Sequence, residues 1–248
     1  MRKELETIRK FSRREILAGG SLAVLGFGLG FGASDLVNLP SSPQVVGFPA
    51  TPNDALQLLL QGNQRFISGS TVVDPNQSVQ LRTQLAGSQS PWAVVLGCVD
   101  SRVPPELVFD VGLGDIFVAR TAGQVIDDVV LGSIEFGVEE FSTVKLVMVL
   151  GHESCGAVKA AIQTIQSNGH ADGSIQTLVN AIQPAYENAQ GQPGDLIRNV
   201  VDANIALEVE KLKLTDIISH AISAGSIAVV GARYDLGTGQ VEVNVPLN

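Results

Sequence analysis

Two short polar stretches, Gly97-Cys98-Val99-Asp100-Ser101-Arg102 and Gly151-His152-Glu153-Ser154-Cys155-Gly156, each follow an apolar run, Ala93 to Leu96 and Val144 to Leu150. Apolar runs of that length, bounded by turn residues, read as buried strands of a parallel sheet and place the chain in the α/β class. Both polar stretches then fall at strand C-termini, where open α/β sheets carry their chemistry. They contain the only two cysteines of the chain and one of its three histidines, the latter at His-x2-Cys spacing. Cys98, His152 and Cys155, with no fourth cysteine or histidine, have the arithmetic of an open, catalytic zinc site rather than a closed structural one. One buried cysteine at a strand end is usually just a small apolar residue. Here every cysteine, a histidine and an Asp-Ser-Arg turn fall on strand ends together. A redox pair fits less well, because the chain has no C-x-x-C.

The remaining pattern alternates helices and strands. Thr51-Pro52-Asn53-Asp54 is a helix start leading into Ala55 to Phe66, and Val79 to Ala86 forms a second short helix. Pro104-Pro105-Glu106 opens another, since prolines are tolerated where first-turn N–H groups have no partner. Further helices are expected over Asp127 to Phe141, Cys155 to Gln166, Ser174 to Ala189 and Asp195 to Ala221, and strands over Asp115 to Ala119 and Ile227 to Gly231. Val241-Glu242-Val243-Asn244-Val245 alternates as an edge strand does. A helix beginning at Cys155 places that sulfur near a positive helix end, which favours thiolate.

Cys98-Val99-Asp100-Ser101-Arg102-Val103-Pro104-Pro105-Glu106 followed by His152-Glu153-Ser154-Cys155-Gly156 resembles the paired motifs of the β-class carbonic anhydrases. Gly112 to Gly123 and Gly132-Ser133-Ile134-Glu135-Phe136 match in order and spacing, and the similarity runs from about Pro52 to the C-terminus. The resemblance implies a mostly parallel central sheet with an antiparallel edge strand, flanked by helices, with N-terminal helices extending onto a partner subunit. It implies one Zn²⁺ per subunit on Cys98, His152 and Cys155, and reversible hydration of CO2 to bicarbonate and a proton by zinc-hydroxide attack. Two thiolates oppose the acidification of a zinc-bound water, so a compensating hydrogen bond is needed, and Asp100 is the candidate acceptor. Arg102 would hold its carboxylate by a charge-assisted bond, the pair matching the family's Asp-Arg dyad. In some members the same aspartate occupies the fourth zinc position.

By the same resemblance Gln89 would bind bicarbonate from across a dimer interface, and Gly156 would offer a backbone N–H to a developing oxyanion. Phe117, Ala122 and Phe136 would line an apolar pocket for CO2. A homodimer or higher even oligomer follows from such sharing. The chain departs from the family pattern at Phe136, where many members have tyrosine, at Thr121 and Gln124, which replace asparagines, and at Glu153. None of these is a predicted ligand. His170 and His220 read as ordinary loop and helix histidines. Two other activities fit the motifs: hydrolysis of CS2 or COS on the same fold, and zinc or bicarbonate binding without turnover. The intact Asp100 and Arg102 argue against the second.

Residues 1–34 stand apart from this fold. Arg2, Lys3, Arg9, Lys10, Arg13 and Arg14 form a basic region, and an uncharged, glycine-interrupted stretch runs from Ile16 to Ala33. Ser12-Arg13-Arg14-Glu15-Ile16-Leu17 resembles a twin-arginine export signal, the route for proteins already folded. Folding around zinc before export would protect both thiolates from an oxidising compartment. The expected organisation is therefore an export signal over 1–34, a linker over 35–50 and a carbonic anhydrase-like domain over 51–248. The expected location is extracytoplasmic, in the periplasm; an uncleaved signal would leave a membrane anchor, and a thylakoid lumen is the other compartment this route serves. The formal charge of −9, with no basic stripe beyond the leader, argues against a nucleic-acid partner.

Overall fold

Thr51 starts the first helix of the computed structural model, which describes residues 48–73 and 79–247. The expected export signal and the linker as far as residue 47 lie outside the described residues. Helix α1 (Pro52–Ser68) opens on a reciprocal cap: the Asp54 N–H donates to Thr51 Oγ1 at 3.1 Å, and the Thr51 N–H donates to Asp54 at 2.9 Å. The elements that follow are α2 (Val79–Leu85), β1 (Ala93–Cys98), α3 (Pro105–Val108), β2 (Ile116–Thr121) and a 3₁₀ turn over Ala122–Gln124. Then come α4 (Asp128–Glu140), β3 (Leu146–His152), α5 (Gly156–Gln166) and α6 (Ile175–Ala189). The chain closes with α7 (Leu196–Lys213), α8 (Asp216–Ser223), β4 (Ala228–Tyr234) and β5 (Val241–Val245). Among the described residues no helix is long and apolar enough to cross a membrane.

The sheet order is β2-β1-β3-β4-β5. The first four strands are parallel and β5 runs antiparallel to β4, as expected. Strands β1 and β3 are buried throughout, which is why both read as unbroken apolar runs. Side-chain alternation divides them between two cores. Val94, Leu96, Val147 and Val149 pack with α5, α6 and α7, whereas Ala93, Val95, Leu146 and Met148 pack with α1 and Phe109. Asn63 ties α1 down, with Nδ2 donating to the Val108 and Gly239 carbonyls and Oδ1 accepting from the Val241 N–H. The approach is close: a Cβ on Gly62 would stand 1.7 Å from the Phe109 carbonyl oxygen.

Two expectations about element ends need correction. Strands β1 and β3 each run two residues past their apolar stretch, so Gly97 and Gly151 are ladder residues, not turns; they pair with Leu150 and Arg233. At Gly151 the reason is packing: a Cβ there would stand 2.6 Å from Ile205 Cδ1, and one on Gly231 would stand 2.5 Å from Ile205 Cγ2. Ile205 is thus seated over both strands. The single helix expected from Asp195 to Ala221 is two, because Thr215 turns extended (φ −80°, ψ 147°) and its hydroxyl bonds back to the Leu212 carbonyl at 3.0 Å.

Candidate metal centre

Strand order reverses between β1 and β3, where chain connections leave to opposite sides and a crevice opens at the C-terminal strand ends. Cys98 is the last residue of β1 and His152 the last of β3. Ser154 takes a left-handed backbone (φ 55°), which turns the chain back so that Cys155, capping α5, returns to the same end. The two sulfurs stand 4.0 Å apart, and the three donor atoms all lie within 4.8 Å of one another. Neither His170 nor His220 joins this cluster.

The donor set fits zinc. His152 Nδ1 lies 2.9 Å from the Glu153 carbonyl, which fixes the ring proton there and leaves Nε2 with its lone pair. Nε2 is buried and has no hydrogen-bond partner among the described residues. An orphaned imidazole nitrogen beside two thiol groups is satisfied by a borderline-soft divalent cation. The charge is favourable at one of the two sulfurs. A hydrogen bond from Cys155 pulls the Cys98 thiol down against burial, and the Gly123 N–H adds to it. The same bond, with burial, pushes Cys155 up; the Val158 and Ala157 N–H groups at the start of α5 act in the expected direction and are outweighed.

Asp100 stands over this cluster. Arg102 grips it as a fork, Nε donating to Oδ1 at 2.9 Å and Nη2 to Oδ2 at 2.7 Å, and the Arg102 N–H adds a further bond to Oδ1. The fork holds the Asp100 carboxyl well below the usual carboxylate range. Its Oδ2 is 3.8 Å from His152 Nε2. Arg120, for which the sequence suggested no role, fixes this turn by donating to the Cys98 carbonyl at 2.7 Å and the Asp100 carbonyl at 2.5 Å. A lone arginine near the end of an otherwise apolar edge strand was the available signal. Gly123 was also missed: its N–H points at Cys98 Sγ at 3.3 Å.

The expected substrate residues divide. Ala122 opens the turn that carries Gly123, and Gly156 begins α5 beside Cys155 with open space at its Cα. Gln89, Phe117 and Phe136 are not brought to the cluster within one chain. Gln89 precedes β1, at the opposite strand end from Cys98. Phe117 is in register with Val94, four residues before Cys98 and so about 13 Å along the strand. It packs on Phe141 at 5.2 Å between ring centroids, and Phe136, 54% exposed on α4, packs on the same ring at 6.3 Å.

Behind the centre, buried Glu208 on α7 lies 3.8 Å from Lys211, and Lys211 donates to the Ile126 carbonyl. Burial pushes the Glu208 carboxyl up from 4.5 to about 7, with Lys211 and the Ile126 N–H opposing. The folded protein therefore holds this proton more tightly than the unfolded chain. That contribution to stability is complete below pH 4.5 and is lost as pH rises through about 7. Glu208→Gln, neutral at every pH, should melt close to the wild type near pH ~5 and above it near pH ~8. Melting curves that stay parallel across that range would assign the dependence to another group.

A carbonic anhydrase family profile matches residues 93–241. Carbonic anhydrase 2 of Mycobacterium tuberculosis is 40% identical over 193 residues, covering 76% of this chain and 91% of that protein. The carbonic anhydrase of Mycolicibacterium smegmatis is 38% identical over 195 residues, covering 78% and 94%. Among solved structures, Coccomyxa β-carbonic anhydrase in complex with acetazolamide aligns with a TM-score of 0.62 at 25% identity, over 78% of this chain and 87% of that one. A tetrameric β-carbonic anhydrase of Sordaria macrospora aligns with a TM-score of 0.62 at 22% identity, over 79% and 99%, a likeness of fold. Sequence identity of this extent, on a sheet whose switch point gathers two cysteines and a histidine, leads to one family: the chain belongs to the β-class carbonic anhydrases and is an enzyme of the carbonate dehydratase type, a lyase.

Proposed function

We propose that this enzyme interconverts CO2 and bicarbonate at one Zn²⁺ per subunit, held by Cys98 Sγ, His152 Nε2 and Cys155 Sγ, with Asp100 and Arg102 as its working dyad. The observation that carries the reading is a buried, unpartnered Nε2 on His152, in a cluster whose three donor atoms lie within 4.8 Å of one another, overlooked by a carboxylate that Arg102 already grips. Zinc, when bound, supplies the Lewis acidity that makes water a nucleophile at neutral pH. Asp100 stays ionised throughout the working range and accepts a hydrogen bond from the attacking water, orienting its lone pair toward CO2. Both carboxylate oxygens are engaged by Arg102, which would hold Asp100 as a hydrogen-bond acceptor rather than as a ligand itself. The Gly156 N–H, at the positive end of α5, faces the oxygen on which charge develops.

Gln89, Phe117 and Phe136 serve, in this reading, the site of a partner subunit. Two features support a homodimer or higher even oligomer. The outer face of α4 shows Val129 at 77% exposure and Phe136 at 54%, and β2 beside it is an open sheet edge among the described residues. Exposed apolar faces and open edges are both covered by assembly. The leader motif and the acidic remainder support export by the twin-arginine route to the periplasm.

The test is stopped-flow CO2 hydration on zinc-quantified protein from about pH 6.5 to about pH 9, a range straddling the ~7 of a metal-activated water. Turnover that rises through a single ionisation in that range is expected. Full zinc occupancy without hydration at any pH would overturn the reading.

A further inference from the structure

The inner face of α7 is apolar at Val200, Val201, Ile205, Val209 and Leu212, and is interrupted by buried Asn204 and Glu208, one turn apart. A buried amide costs stability unless its polar atoms are paired. Asn204 makes one bond, from Nδ2 to the Gly123 carbonyl at 2.8 Å, and its Oδ1 has no partner among the described residues. A valine or leucine would suit this core better, so the residue is explained by what it holds.

Gly123 adopts φ 75°, ψ 18°, where only glycine is unstrained, and a Cβ there would stand 3.1 Å from Ile182 Cδ1. The Gly123 carbonyl and N–H lie in successive peptide planes hinged at its Cα, so anchoring the carbonyl while the turn holds this φ/ψ also limits where the N–H points, which is at Cys98 Sγ, 3.3 Å away. Lys211 holds the same turn farther along, through the Ile126 carbonyl.

We propose that Asn204 is a positioning residue of the metal centre: through Gly123 it directs a backbone N–H onto the Cys98 sulfur and so limits the charge that this thiolate gives to the metal. The proposal rests on the reading of Cys98 as a ligand. Its consequence follows from the donor set. Two thiolates weaken the Lewis acidity of the ion they hold, and a hydrogen bond to one sulfur restores part of it.

Co²⁺-loaded protein tests this, because its thiolate-to-cobalt charge-transfer absorption reads the donor strength of sulfur directly. In Asn204→Ala the absorption is expected to move to lower energy, because the sulfur, relieved of the N–H, gives more charge to the ion. Asn204→Asp, nearly isosteric but lacking the N–H donor, should behave the same way and serves if the alanine variant does not fold. Val201→Ala removes apolar atoms from the same helix face and should lower the melting temperature with the absorption unmoved. An unshifted absorption in the Asn204 variants, or an equal shift in Val201→Ala, would overturn the proposal. Wild-type protein that binds Co²⁺ without any thiolate absorption would instead sink the ligand assignment itself.

Discussion

Cys155→Ala is expected to lose its zinc and, with it, CO2 hydration. The structure assigns Cys155 one of three donor atoms, within 4.8 Å of the other two, and the residue is buried at the start of α5. Thiolate and imidazole sites of four ligands bind zinc with about 10–16 kcal/mol, so one ligand carries about 2.5–4 kcal/mol, or two to three orders of magnitude in affinity. Alanine leaves only Cys98 and His152, and water does not replace a thiolate at comparable strength. Metal content after dialysis and hydration rate should fall together. A fully metallated Cys155→Ala protein would show that the cluster is not the zinc site.

Asp100→Asn should separate metal binding from turnover. The substitution preserves shape and leaves all three donor atoms in place, so zinc content should match the wild type. It removes the charge that Arg102 grips through its bonds of 2.9 and 2.7 Å, and puts an N–H where an acceptor is needed. A positioned proton acceptor contributes about 10²–10⁴-fold to rate, and a loss of that size is expected across the pH range. The fork itself matters, since lysine at position 102 cannot reproduce two parallel bonds. Near-wild-type turnover in the zinc-loaded Asp100→Asn protein would reduce the Asp100–Arg102 pair to a surface ion pair.

The members of the cluster were legible because each is tied to a local pattern: Cys98 and His152 end apolar strand runs, and the Asp-Ser-Arg turn and Cys155 follow directly on them. The helix start at Thr51 and the alternation of β5 were legible for the same reason. Other features were not. Gly97 and Gly151 look like turn punctuation, yet they continue their strands; at Gly151 the cause is Ile205, distant in sequence, needing the space. Arg120 and Asn204 act on the carbonyls of Cys98, Asp100 and Gly123, and backbone groups leave no mark in a sequence.

The chain by itself determined its class, the run of buried parallel strands and the identity of the donor atoms, because these depend on residue type and on periodicities of a few residues. Only the tertiary structure decided where those donors meet. The reversal of strand order between β1 and β3 brings Cys98 and His152 side by side, and the left-handed turn at Ser154 returns Cys155 to them. It also decided that Phe117 lies away from the Cys98 end of β1, through the register that sets it beside Val94. Sequence spacing does not encode the direction in which a strand runs through the sheet, and that direction settles which residues share an end.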